Sequence, residues 1–426
     1  LFNNYKYILI NTSISSIFAN RNINIKFLNI MKFNPAKALE QAHQKGSFNG
    51  VNQSVNDSAT FTFESGEAMT ACFNGESEGA FLYSRHWNPS TYSLAKALAA
   101  MENTEAAWVT GSGMAAITNT ILQICSSGDH IIASRTIYGG SYAFLKSYLP
   151  KFNIEVSFID TTKLEEVNAA IKSNTKMLYT EVVNNPMLQV IDVASLSKIT
   201  KAKNIKLVVD NTFTPLIISP INLGADIVVY SMTKFVNGKN DTTAGAICAS
   251  EEFINSLIDL NTGSSMLLGG VLDSFRASNI QKNLYTLPIR MKQHSANAAY
   301  LAKRFNEIGL KSIYPGLEEN PYHEIMKSQM NDRYGFGGMI AIDLVTAERA
   351  SKFMTLMQEN KVGYLAVSLG YFRTLFSNSG KSTSSEVPEE DQKKMGLSEG
   401  LVRFSVGLDD DIESTFKTIE TCFKLV

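Results

Sequence analysis

Between residues 105 and 250, short apolar runs alternate with segments whose apolar positions recur every three or four residues. The runs at 107–109, 130–134, 155–159, 176–180, 206–210 and 227–231 are rich in Val and Ile and carry few internal charges. Strands buried on both faces read this way. The intervening segments 114–124, 141–151, 163–173 and 195–203 are amphipathic, which predicts helices. The alternation predicts an α/β fold with a mostly parallel sheet covered by helices. In such sheets ligands collect at the carboxyl ends of the strands. Past a long helical pattern at 288–308, runs at 311–314, 338–344 and 401–406 with helices between them predict a smaller C-terminal α+β domain. The stretch SNSGKSTSSEVPEEDQ, residues 377–392, clusters Ser, Gly, Pro and charge and reads as a loop.

Composition narrows the picture. At about 150 residues per domain, 426 residues allow two or three domains, or one large domain with a smaller partner. Hydrophobic residues make 44% of the chain and 39 Lys+Arg face 40 Asp+Glu, which fits neither a disordered chain nor a nucleic-acid binder. Cys72, Cys125, Cys248 and Cys422 lie far apart, so neither a disulfide framework nor a zinc site is expected. The cytoplasm, a reducing compartment, is the expected location. No apolar run reaches the roughly 18 residues of a membrane helix, so no membrane association is expected. Residues 1–30 differ from the rest, with Asn and Ile at 14 of 30 places and no acid before Glu40. They read as a leader upstream of a start at Met31, or as a disordered or targeting extension.

Several residues could carry chemistry. Lys234 follows the apolar run 227–231 within YSMTK, where partial burial would lower its pKa and suit it to attack a carbonyl and form a Schiff base. A lysine after a strand is also an ordinary solvated loop residue. Ser231 and Thr233 beside it offer hydroxyls to a phosphate. Asp210 ends the run 206–210, where it either keeps a protonated ring nitrogen cationic, as in pyridoxal phosphate chemistry, or caps the next segment. The turn TGSGMAA at 110–116 joins a strand to a helix, and backbone N–H groups at a helix start favour phosphate. Tyr138, before Gly139-Gly140, either stacks on a planar cofactor or fills a turn. Arg403 interrupts an apolar strand, so its guanidinium meets a substrate carboxylate or a structural ion pair. Arg85 in YSRHWNP joins this set. The five histidines lack metal-ligand spacing and no G-x-S-x-G elbow is present, so metal and serine-nucleophile mechanisms are not expected.

In combination, YSRHWNPS, TGSGMAAI, YGGSY, EVVNNP, VVDNTFTP, LGADIVVYSMTKFVNG, AVSLG and GLVRFSVGLDD resemble the Cys/Met-metabolism branch of the fold type I pyridoxal phosphate enzymes. The resemblance runs from about Ser84 to the C-terminus. NQSVNDSATFTF, CSSGDHI, SSMLLGG, IYPGLE, YGFGGM and SLGYFRTLFSNSGKSTSSE look most like plant-type methionine γ-lyases. The resemblance implies a large pyridoxal phosphate domain at 105–285, a C-terminal domain at 286–426, and an N-terminal arm and subunit-contact segment at 31–104. It implies that Lys234 binds the cofactor as a Schiff base and then shuttles protons, and that Asp210 holds the pyridinium nitrogen. Tyr138 would stack on the ring and act near the departing sulfur, and Glu181 and Asn185 would support the ring's oxygen side. Gly113, Met114, Ser231 and Thr233 would hold the phosphate. Tyr83 and Arg85 would reach it from a neighbouring subunit, which implies a dimer with shared sites, assembled further into a tetramer. Arg403 and Ser368 would bind a sulfur amino acid at its carboxylate.

The expected reaction is α,γ-elimination of methionine to 2-oxobutyrate, methanethiol and ammonia. Cystathionine γ- or β-lyase and an acylhomoserine γ-replacement enzyme are the alternatives, and a non-catalytic binding protein is a more remote one. The chain departs from the family at Tyr230, where much of the family has His, at Lys239-Asn240 for the frequent His-Gly, and at Ser382–Ser385 for Thr-His-Ser. Gly140 stands where bacterial methionine γ-lyases carry a cysteine.

Overall fold

The computed structural model describes residues 33–77, 79–378, 390, 392 and 397–426. The expectations for residues 1–30 and for Ser382–Ser385 lie outside the described residues. Seven strands form the larger sheet: β1 (Ala106–Thr110), β2 (His130–Ser134), β3 (Glu155–Ile159), β4 (Thr175–Glu181), β5 (Lys206–Asp210), β6 (Ile227–Ser231) and β7 (Gly245–Ala249). Their order is β1-β7-β6-β5-β4-β2-β3. Neighbours from β6 through β3 pair in parallel, whereas β7 runs antiparallel to both β1 and β6. The pattern of apolar runs does not reveal β7. Its GAICA is short, and in the sequence it follows polar DTT without a helical segment to set it apart.

Burial on both faces explains the apolar runs. Ala107, Val109, Leu178, Leu207, Val209 and Val228 point into one core layer, while Trp108, Met177, Tyr179, Val208, Ile227 and Val229 point into the other. This is the period of two that a strand imposes. Each Val, Ile, Leu or Met among them, taken fully out of water, contributes about 1.5–3 kcal/mol before chain entropy is charged against it. Helix boundaries follow capping chemistry. Pro89–Glu102 starts with an Asn88 capping box and Pro at its first turn, and ends at Asn103 in a left-handed conformation. Gly113–Ile124 starts at Ser112, whose hydroxyl accepts from the Ala115 N–H at 3.0 Å.

One expectation was too simple. Residues 141–151 are not a single helix: Gly139–Ala143 is α-helical, Phe144–Tyr148 a π-turn and Leu149–Phe152 a 3₁₀ turn. Pro150 cannot donate to an α ladder, and aromatic crowding among Phe144, Tyr148 and Phe152 accompanies the change of pitch.

The second sheet has the order β10-β11-β12-β9-β8, from β8 (Ser312–Ile313), β9 (Met339–Asp343), β10 (Tyr364–Leu365), β11 (Leu375–Asn378) and β12 (Leu401–Ser405). Helices Leu287–Glu307, Ala347–Glu359 and Ile412–Phe423 cover it, with Phe305, Phe353, Phe404 and Phe416 in its core. The expected loop at 377–392 overlaps the end of a strand, since Ser377 and Asn378 pair with Arg403 and Val402. Both sheets lie within the single unit Pro35–Val426.

Candidate active site

A cavity of about 270 Å³ opens where β4, β5 and β6 end, beside the start of helix Gly113–Ile124. Strand register explains why its two acids meet: Glu181 and Asp210 are direct partners across β4 and β5. Both are buried, and burial raises both carboxyl pKa values, Glu181 to about 8 with Asp210 adding to its shift. Asp210 accepts from the Thr212 N–H at 2.9 Å and from the Tyr179 hydroxyl at 3.5 Å, both neutral donors. Glu181 accepts from the backbone N–H groups of Tyr138 at 2.8 Å and Asn185 at 3.0 Å. It therefore ties the loop after β2 to the turn after β4.

Lys234 stands just past the end of β6, at Ser231. Met232, Phe235 and Val236 are buried and anchor this turn, and the Gly238 N–H closes it on the Lys234 carbonyl at 2.8 Å. Arg290 donates to the carbonyls of Phe235 and Val236 from the other side. Burial, with a contribution from Arg403, lowers the Lys234 pKa to about 8. Its Nζ donates to the Ser368 hydroxyl at 3.3 Å.

Arg403 comes from β12 in the other sheet. Its Nη1 donates to Asn185 Oδ1 at 2.9 Å and its Nη2 to the Ser368 carbonyl at 3.5 Å. Its Nε is buried with no hydrogen-bond partner among the described residues. Burial lowers its pKa to about 10, opposed by Glu181, so it remains a cation at physiological pH. The alternative of a structural ion pair fits less well, because its direct partners are an amide and a carbonyl.

Gly113 and Met114 open the helix against Ser231: a Cβ on Gly113 would lie 2.7 Å from the Ser231 Cβ. Tyr138 is about half exposed at the cavity wall. Thus Lys234, Asp210, Tyr138, Glu181, Asn185, Gly113, Met114, Ser231, Thr233 and Arg403 line one space, with Ser368 bonded to Lys234. Tyr83 and Arg85 are not brought there within the chain. Arg85 donates to the Met266 carbonyl at 2.9 Å and lies over the Tyr83 ring at 5.9 Å.

Four participants were not read from the sequence. Thr212 gives its N–H to Asp210 and accepts from the Ser231 N–H at 2.8 Å through its hydroxyl. Its place beside Asp210 in VVDNTFTP was the available signal. Tyr179 lies inside a strand run, Thr243, which lines the cavity, in a polar loop, and Asn240, which accepts from the Ser368 hydroxyl at 2.8 Å, in a departure from the family pattern. No local pattern marks any of them.

Comparison with known proteins identifies the family. The family described as Cys/Met metabolism PLP-dependent enzyme matches residues 36–423. The chain belongs to that family. It is 43% identical to a methionine γ-lyase of Arabidopsis thaliana over 396 residues, 91% of this chain and 90% of the relative. It is 38% identical to an L-methionine γ-lyase of Fusobacterium nucleatum subsp. polymorphum over 377 residues, 88% of this chain and 93% of that one. A solved Campylobacter jejuni structure assigned as an O-acetylhomoserine (thiol)-lyase has TM-score 0.84 and 26% identity, covering 92% of this chain and all of its own. That structure carries N'-pyridoxyl-lysine-5'-monophosphate. This protein is therefore a pyridoxal phosphate enzyme of fold type I, a lyase acting on sulfur amino acids.

The residues present fit the cofactor. The helix start at Gly113 and Met114 presents first-turn N–H groups that have no partner within the helix, Ser231 and Thr233 stand beside it, and the absent Cβ at Gly113 lets the helix start lie close to Ser231. Asp210 is a buried carboxylate whose partners are neutral, the setting in which a protonated ring nitrogen would compensate it. Among the described residues no three His, Cys, Asp or Glu side chains converge as a metal site. No helix among them is long and apolar enough to cross a membrane.

Proposed function

We propose that this enzyme is a methionine γ-lyase that converts L-methionine and water into 2-oxobutyrate, methanethiol and ammonia. The reading is supported above all by the convergence of Lys234, Asp210 and Arg403 in one cavity of a chain that is 43% identical to a plant methionine γ-lyase. When bound, pyridoxal phosphate draws electrons from the substrate and makes its Cα proton removable.

The protein's own groups do the rest. The Arg403 fork binds the substrate carboxylate, with the Ser368 backbone beside it, and so fixes which substituent lies over the cavity floor. Lys234 removes the Cα proton: with a pKa of about 8, roughly a tenth of it is neutral at pH 7, against far less for an exposed lysine. A second proton leaves Cβ, the Cγ–S bond breaks and the sulfur takes a proton as methanethiol. Tyr138, at the cavity wall, supplies it. Hydrolysis of the remaining four-carbon unit gives 2-oxobutyrate and ammonia.

The same reading assigns residues 31–104 to an arm that meets a neighbouring subunit, 105–285 to cofactor binding and 286–426 to the substrate side. Tyr83 and Arg85 would serve the cavity of a second copy, in a dimer that pairs into a tetramer in the cytoplasm. Leu267, Leu268, Val271 and Phe275 support this: all are exposed and follow Met266, to which Arg85 is bonded. Exposed apolar groups clustered in this way mark contact surfaces.

The test offers the purified enzyme methionine, cystathionine, cysteine and O-acylhomoserine separately, and measures 2-oxo acid, ammonia and thiol. The expected result is the highest kcat/KM for methionine, abolished in Lys234→Ala while the oligomer stays folded. A preference for cystathionine would move the enzyme to transsulfuration, and turnover retained by Lys234→Ala would remove the lysine from its role.

A further inference from the structure

The turn that carries Lys234 is held at its backbone from both sides, by the Arg290 guanidinium and by Gly370. A Cβ on Gly370, whose φ is +76°, would lie 2.5 Å from the Phe235 nitrogen. What remains free is the lysine side chain. Its Nζ meets the Ser368 hydroxyl, and that hydroxyl in turn donates to Asn240 Oδ1 at 2.8 Å. A serine hydroxyl has one hydrogen. Because Asn240 takes it, only lone pairs of Ser368 face Lys234, so the amine must point an N–H at Ser368 and turn the rest of its valence shell away.

We propose that Asn240 is a positioning residue for the reaction, acting through Ser368 to aim the Lys234 amine. The proposal rests on the reading of Lys234 as the reacting amine. Asn240 does not line the cavity and touches Lys234 through one intermediary. The titratable groups that do share the cavity with Lys234 are Asp210 and Glu181 from the strand ends, Tyr138 from the loop after β2 and Arg403 from β12. Arg403 meets Ser368 at its backbone carbonyl, whereas the hydroxyl is held by Asn240, which therefore sets its orientation.

The backbone supplies a clean test. Asn240 has φ +51°, in the left-handed region that Asn tolerates and Gly prefers. Asn240→Gly therefore deletes the acceptor without straining the turn, and its melting temperature should stay within a few degrees of the wild type. In the holoenzyme, Asn240→Gly is expected to lower methionine kcat about fivefold, the factor one hydrogen bond commonly carries, with KM within about twofold. It should also shift the pH midpoint of the visible absorption of the lysine-bound cofactor. Ser368→Ala should shift that midpoint in the same sense, and the double variant no further, since both act through one hydroxyl. Asn240→Asp keeps an acceptor oxygen and should return kcat to within about twofold of wild type.

Wild-type kcat and midpoint in Asn240→Gly would overturn the proposal, as would a midpoint shift in the double variant equal to the sum of the single shifts. Lys234→Ala separates the two levels: methionine turnover retained there removes the lysine's role and the proposal with it. An unaltered Asn240→Gly removes Asn240 alone.

Discussion

At the scale of single residues, burial sets the chemistry. Glu102, Tyr230 and Asn211 form a buried network behind β5 and β6, with the Tyr230 hydroxyl donating to Glu102 and the Asn211 amide to Tyr230 at 2.7 Å. Tyr230 thus fills the family's His position with a neutral hydrogen-bonding group, fully buried at the end of β6. Burial raises the Glu102 pKa to about 8. An unfolded chain would lose that proton near 4.5, so between about pH 4.5 and 8 the folded state binds more protons and stability falls as pH rises. Glu102→Gln should flatten that fall by on the order of 1 to 3 kcal/mol, read from melting temperatures at pH 5 and pH 8. A slope identical to wild type would show that Glu102 is ionised in the fold. The sign is opposite for Lys234, whose lowered pKa makes the cofactor-free protein gain stability as pH rises from about 8 to 10.5.

At the scale of elements, the decisive contact is between helix Gly113–Ile124 and β6. By helix propensity, Gly113→Ala should stabilise the helix by up to about 1 kcal/mol. Sterics oppose this, because the new Cβ would meet the Ser231 side chain at 2.7 Å and push the helix start from the strand end. Overpacking of this kind costs about 1–3 kcal/mol, so the variant is expected to melt lower than wild type. If the displaced N–H groups cradle the phosphate, pyridoxal phosphate Kd should rise at least about tenfold, equivalent to about 1.4 kcal/mol. Equilibrium dialysis and a thermal melt decide it, and unchanged affinity would exclude this helix start from the phosphate site.

At the scale of the whole molecule, Arg85 and Tyr83 stand apart from the cavity of their own chain, beside exposed Leu267 and Leu268. If they complete the site of a second copy, Arg85→Ala should weaken cofactor retention, and mixing it with Lys234→Ala should restore activity. A random dimer mixture would recover about a quarter of wild-type turnover, because about half the dimers carry one intact site of two. Absence of recovery in refolded mixtures, measured as methanethiol release, would place each site within one chain.

Local pattern determined much of this protein. Val and Ile runs located β2, β3, β5 and β6 to the residue, because strands buried on both faces admit few charges. Lys234, Asp210 and Arg403 stood out because each polar group follows, ends or interrupts an apolar run. Tertiary structure decided what such periodicity does not encode. Strand pairing made partners of Glu181 and Asp210, which a whole crossover helix separates along the chain. Packing of the two sheets brought Arg403 to Asn185, and a loop at positive φ brought Asn240 to Ser368. Those contacts join residues far apart in the chain, and burial then shifts their proton affinities, which no neighbouring residue in the sequence reports.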